Sequence, residues 1–113
     1  DKLELISDKL AQYYSERPYI RPNFNLTMTT NDTGIPAHHI SYFLKGCLKT
    51  DFITWKNNAR IEYVIELIQL GEAENLTLEA ISKKAGFISR TTFISSFKQK
   101  TGKTPSEYIE QLS

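Results

Sequence analysis

The chain has 113 residues, enough for one domain with a hydrophobic core, and its 40% hydrophobic and 24% charged residues are typical of a globular protein. No apolar run approaches the roughly 18 residues that a membrane-spanning helix needs, so we expect no membrane contact. The formal net charge of +1 neither requires nor excludes a nucleic-acid partner.

Three helices are predicted in the N-terminal part of the chain. Apolar residues at spacings of three and four predict a helix over Leu3–Ser15, which ends before the prolines that follow it. A short, threonine-rich segment, Leu26–Thr33, predicts a weaker helix. A clearer helix is expected from Pro36 to about Lys45, where Gly46 would stop it.

Four more helices are predicted after Thr50. Asp51 would cap a long helix to about Leu70, and Thr77 a short one through Ala85. Ser89 would cap the next, through about Lys100, and the capping box Thr104–Glu107 would begin the last. Each of the first three is followed by a glycine that is expected to end it, namely Gly71, Gly86 and Gly102. The predicted fold is therefore all-α, with seven helices and no strand.

The helical segments repeat. Placing Pro36 over Ser89, an offset of 53, superimposes two helices that each follow a shorter helix and a tight turn. The apolar and basic positions then coincide, Ile40 with Phe93, Leu44 with Phe97 and Lys45 with Lys98. Such a repeat predicts two helix-turn-helix units, at about 24–46 and 77–101, joined by the linker helix at about 51–70.

In both units the second helix is predicted to have a buried side and a polar side. At about 100° per residue, Phe93 and Phe97 share one side, which we expect to pack against Ile81 and Phe87. Thr91, Ser95 and Lys98 lie within about 60° of one another on the other side. In the first unit the buried side would hold Ile40, Phe43 and Leu44, and the exposed side His38, Tyr42 and Lys45.

This pattern favours binding in the major groove of DNA, where a helix presents hydrogen-bonding side chains to base edges and cations to phosphates. Two stretches around these helices, 34–50 and 80–106, contain lysines or arginine and no acid. Because the first turns of a recognition helix usually contact bases, Arg90 is the best single candidate. The full expected set is Arg90, Thr91, Ile94, Ser95 and Lys98 in the second unit, and Ala37, His38, Ser41, Tyr42 and Lys45 in the first.

The stretch Leu76–Tyr108 resembles the signature of the AraC/XylS family of transcription regulators. The matching residues are Ile81, Gly86, Phe87, Ser89, Phe93, Phe97, Lys98, Gly102, Pro105 and Tyr108, and Phe52, Trp55, Asn57 and Arg60 fit the family's linker helix. The resemblance implies seven helices and two recognition helices in successive major-groove segments. Departures from the pattern are Ser82 for alanine, Pro36 for a serine cap, and Thr29, Thr30 and Thr33 at positions that are usually apolar.

The length of the linker helix suits two adjacent sites on one duplex. Its 20 predicted residues would span about 30 Å at 1.5 Å per residue, close to the roughly 34 Å between half-sites one helical turn apart. We therefore expect one monomer to cover two successive major-groove segments.

Other functions are less well supported. His38 and His39, as neighbours on a helix, point about 100° apart, which disfavours a metal site. Ser41 lies near them without a glycine-rich elbow, so we expect neither an enzyme nor a cofactor. The alternative that remains is a helical protein-interaction module that has lost DNA binding.

The cellular context is inferred from small features. The single Cys47, expected to be partly buried, cannot form an internal disulfide and fits a cytoplasmic protein. Because the first residue is Asp1 rather than methionine, we expect the chain to be part of a longer protein. A regulator of this type would also carry an effector-sensing or receiver domain outside this segment and would contact RNA polymerase.

Overall fold

The computed structural model describes residues 1–112, and within them the chain forms seven α-helices, two short 3-10 helices and no strand. None of these helices is long and apolar enough to cross a membrane. The all-α expectation is confirmed. The helices are α1 (Lys2–Ser15), α2 (Leu26–Thr33), α3 (Ala37–Cys47), α4 (Phe52–Gln69), α5 (Leu78–Lys84), α6 (Arg90–Thr101) and α7 (Pro105–Leu112), with the 3-10 helices at Pro18–Ile20 and Glu72–Glu74.

Local side chains decide where most of the helices begin. In each case an oxygen of the capping residue accepts a hydrogen bond of 2.8–3.2 Å from the backbone N–H three residues on. The capping residues are Asp1, Asn25, Asp51, Thr77, Ser89 and Thr104. Glu107 also accepts a bond of 2.8 Å from the Thr104 N–H, which completes the predicted capping box.

The end of α3 differs from the prediction. Gly46 lies inside the helix, which continues to Cys47. The chain turns instead at Lys49, whose φ of 55° is in the left-handed region. This turn lets the Thr50 N–H donate to the Leu44 carbonyl at 3.0 Å, in addition to the Leu48 N–H at 3.2 Å. Cys47, expected to be partly buried, is exposed.

Residues Asp1–Lys56 form an N-terminal unit with its own core. Ile6 and Leu10 of α1 pack with Ile35 and with the buried side of α3. The first turn of α4 contributes Phe52 and Trp55, which lie against this cluster. The buried residues of α3 are the three predicted for it, Ile40, Phe43 and Leu44.

A C-terminal unit begins at Asn57 and has a second core. Its members come from α4, α5, α6 and the turn between the last two: Ile61, Val64, Leu67, Ile68, Ile81, Ala85, Phe87, Phe93 and Phe97. The prediction that Phe93 and Phe97 are buried with Ile81 and Phe87 is confirmed. Tyr108 and Ile109 of α7 pack against the same cluster.

One charged residue of α4 is buried, contrary to what its residue type suggests. Arg60 has only 4% of its surface exposed, and its guanidinium carbon lies 5.7 Å from the centre of the Phe87 ring. Burial lowers the pKa of Arg60. The ring contact is a cation–π arrangement that joins α4 to the turn before α6.

Gly46→Ala should raise the free energy of unfolding by about 0.5–1 kcal/mol, because alanine loses less backbone entropy in a helix than glycine. A Cβ atom at Gly46 would meet no other atom within 4 Å. Gly102, the matched control, also has open space around it but has a φ of +81°. Gly102→Ala should therefore lower the free energy by about 1–2 kcal/mol. Urea denaturation measures both. A loss of stability in Gly46→Ala would show that α3 ends at Gly46 after all.

Candidate nucleic-acid interface

The two sides of α6 differ in burial as the sequence predicts. Phe93 and Phe97 are 3% and 0% exposed. On the other side the predicted contact residues Arg90, Thr91, Ser95 and Lys98 are all exposed. Ile94 is half-buried because it also packs against the core of the C-terminal unit.

Aromatic contacts determine which side of α6 is exposed. Ring centroids lie 5.4 Å apart for Phe87 and Phe93, 6.1 Å for Phe93 and Phe97, and 5.4 Å for Phe97 and Tyr108. The series joins the turn before α6, two positions four residues apart on α6, and α7. Rotating α6 about its axis would break these contacts and bring polar side chains into the core.

Folding neutralises part of the positive charge of the acid-free stretch 80–106. Lys84 binds Glu72 at 3.1 Å, Lys83 binds Glu79 at 3.5 Å and Lys100 binds Glu62 at 3.3 Å. All three acids lie outside the stretch in sequence. The charge pattern that the sequence suggested is therefore partly cancelled by folding.

Three cations of this stretch form no salt bridge within residues 1–112, namely Arg90, Lys98 and Lys103. Arg90 and Lys98 are both exposed. Lys103 donates to the side chain of Gln111, which is uncharged, so its own charge is not neutralised. The Thr104 backbone N–H lowers the pKa of Glu107, and Lys98 makes a smaller contribution in the same direction. Arg90 and Lys98 belong to the predicted site, whereas Lys103 lies outside it.

A groove of about 510 Å³ lies beside the first turn of α6 in the C-terminal unit. Arg90 and Ile94 line it together with Ile88, a residue of the turn before α6. Ile88 is 72% exposed and is not among the predicted contact residues. The signal available in the sequence was an isoleucine placed directly before the predicted helix cap, Ser89.

The exposed side of α3 also matches the prediction. Ala37, His38, Ser41, Tyr42 and Lys45 are all exposed, and Tyr42 has 71% of its surface exposed. These residues share one helix with the buried Ile40, Phe43 and Leu44.

The two histidines of α3 differ in environment. Their rings make an edge contact with centroids 4.3 Å apart. His39 is partly buried, and this burial, with smaller effects of Lys2 and His38, lowers its pKa. The lowered pKa favours the neutral form of His39. Within residues 1–112 no three histidine, cysteine or acidic side chains come together as metal ligands.

A polar cluster holds α2 against α1 in the N-terminal unit. The Tyr13 hydroxyl donates to Asp32 at 2.7 Å, and Arg21 donates to the same carboxylate oxygen at 2.9 Å. Burial and the bond to Asp32 raise the pKa of Tyr13 to about 12. Hydrogen bonds from Tyr13 and Arg21 lower the pKa of Asp32. The cluster positions the helix that precedes α3 in the chain.

The threonines of α2 that depart from the usual apolar pattern are accommodated in different ways. Thr29 is fully buried, and its hydroxyl donates to the Asn25 carbonyl at 3.1 Å. Thr33 donates to the Thr29 carbonyl at 2.7 Å. The buried hydroxyl of Thr30 has no hydrogen-bond partner within the described part of the chain. An unpaired buried hydroxyl costs about 1–3 kcal/mol.

Comparison with known proteins agrees with this geometry. Residues 72–110 match the model of the bacterial regulatory helix-turn-helix proteins, AraC family. No curated protein matches the sequence. A Listeria innocua protein described as having unknown function is 25% identical in sequence, with a TM-score of 0.76 over 94% of this chain and 96% of that one.

A second solved structure has the same fold. The C-terminal domain of AraT, a response regulator from Geobacillus stearothermophilus, is 21% identical, with a TM-score of 0.73 over 88% of this chain and 79% of that one. The family match covers α5, α6 and the first six residues of α7, and it includes Arg90 and Lys98 of α6. Residues 72–110 of the chain are thus similar to the helix-turn-helix of the AraC family of bacterial regulatory proteins.

Proposed function

We propose that the chain binds double-stranded DNA sequence-specifically as the output domain of a transcription regulator. The observation that carries the proposal is the exposed side of α6, where Arg90 and Lys98 remain without salt bridges while the opposite side is buried at Phe93 and Phe97. A partner that supplies negative charge could pair with both of these residues.

The chemistry of this side suits the major groove. The planar guanidinium of Arg90 can donate two hydrogen bonds to the acceptors of one guanine. Thr91 and Ser95 have hydroxyls that can donate to or accept from base edges. Lys98, two turns along α6 from Arg90, is suited to a phosphate contact, which adds affinity without sequence preference.

In the proposal α3 acts as a second recognition helix, with each helix in one of two successive major-groove segments. The exposed residues Ala37, His38, Ser41, Tyr42 and Lys45 would provide its contacts. The presence of the AraT domain among similar folds supports a role as the C-terminal part of a longer regulator. We further propose a cytoplasmic location, a sensing or receiver domain elsewhere in the protein, and contact with RNA polymerase.

The competing proposal is a protein-interaction module that has lost DNA binding. The exposed aromatic side chain of Tyr42, with Leu3 beside it in one shallow pocket of the N-terminal unit, favours it. The available Arg90 and Lys98 favour DNA. The two proposals differ in their response to salt, because only binding to a polyanion releases condensed counterions.

Arg90→Ala should weaken binding to a selected duplex by about 1–3 kcal/mol and relax the preference at one base pair. Fluorescence anisotropy of a labelled duplex, measured between about 50 and 200 mM salt, gives the affinity and its salt dependence. Lys84→Ala is the matched control because Lys84 is already bound to Glu72. We expect it to change the affinity much less.

Lys98→Ala completes this series. It should weaken binding to all DNA sequences by the same factor, and it should reduce the slope of log affinity against log salt concentration by about one. Equal losses in Arg90→Ala and Lys84→Ala would mean that general charge, and not the exposed side of α6, drives binding. An affinity that does not change with salt would favour the protein-interaction module.

Footprinting tests the role of α3. With one monomer bound per duplex, we expect protection of two successive major-groove segments. His38→Ala combined with Tyr42→Ala should remove protection from one segment only, while Arg90→Ala should weaken the other. Protection of a single segment in the unmodified chain would leave α3 as part of the scaffold.

A further inference from the structure

Ile88 is an exposed isoleucine in the turn between α5 and α6. At 72% exposure, most of its apolar surface contacts water. The following residue, Ser89, caps α6 by accepting a hydrogen bond from the Thr92 N–H at 3.2 Å. This cap fixes the backbone next to Ile88, so the side chain is presented from a well-defined position.

Ile88 belongs to the same surface as the available arginine. Ile88, Arg90 and Ile94 all line the groove beside the first turn of α6. Ile94 is half-buried, so part of its side chain is also exposed there. The surface therefore combines Arg90, which forms no salt bridge, with the largely exposed Ile88 and the half-buried Ile94.

The acid and the lysine that also line this groove neutralise each other. Glu79 lies 3.5 Å from Lys83, and both side chains are largely exposed. The positive charge of Arg90 is thus the one that the groove leaves without a salt bridge among the described residues. A partner for this surface should be anionic and should offer an apolar group close to a hydrogen-bond acceptor.

The major groove of DNA meets both requirements. The 5-methyl group of thymine is its apolar contact group, and guanine presents two acceptors to an arginine. We propose that Ile88 contacts a thymine methyl group next to the base pair bound by Arg90, so that the C-terminal unit prefers thymine at that position. The inference rests on the proposed function, because it assigns specificity within the same interface.

The experiment removes single methyl groups from the DNA. Binding sequences are first selected from a random duplex pool with the whole chain, and each thymine of a selected duplex is then replaced singly by deoxyuridine. At one position near the base pair that responds to Arg90→Ala, deoxyuridine should weaken binding about fourfold, the effect of removing one buried methyl group. Ile88→Ala should bind the thymine and deoxyuridine duplexes equally.

Leu70→Ala is the matched control, since Leu70 is 73% exposed in the same unit and does not line the groove. This variant should discriminate thymine from deoxyuridine as the unmodified chain does. Because Ile88 is exposed, Ile88→Ala should also keep the original melting temperature.

Each outcome decides the inference. A chain that binds DNA but responds to deoxyuridine at no position, or an Ile88→Ala variant that still discriminates, overturns the thymine contact alone. A chain that binds no duplex overturns the proposed function as well. Loss of discrimination only in Ile88→Ala supports the contact.

Discussion

The packing of Phe93 and Phe97 into the core of the C-terminal unit is the constraint on which the proposed interface depends. The two rings lie one turn apart on α6 and contact Phe87 on one side and Tyr108 on the other. Since a helix is rigid, burying this side determines which residues remain outside. The exposure of Arg90 and Lys98 is therefore a consequence of core packing.

Salt bridges within the C-terminal unit also affect the proposed interface. Acids from α4, α5 and the 3-10 helix at Glu72–Glu74 neutralise three lysines of the C-terminal unit. Exposed salt bridges of this kind contribute little to stability, typically about 0–1 kcal/mol. With Lys100 paired, Arg90 and Lys98 are the cations of α6 that form no salt bridge among the described residues. Their position, more than the net charge of +1, is what the proposed DNA contact uses.

Features that depend on neighbouring residues could be predicted from the sequence, and features that depend on the fold could not. The cap at Ser89 was predicted because its donor is only three residues away. The end of α3 was predicted wrongly at Gly46, since the turn depends on the backbone conformation of Lys49. Burial of Arg60 and the pairing of Lys100 with Glu62 require contacts between separate helices, which no local pattern encodes. The exposed side of α6 was predictable because the helical spacing of Phe93 and Phe97 indicates which side of the helix is apolar and therefore packs into the core.

The central claim is that the exposed side of α6 meets DNA, and amide chemical shifts test it most directly. A duplex selected for binding is titrated into the ¹⁵N-labelled chain, and shift changes are mapped onto the C-terminal unit. We expect the largest changes over residues 88–95 and at Lys98, with small changes at Lys84 and Lys100. The largest changes at Lys84 and Lys100, with residues 88–95 unaffected, would contradict it.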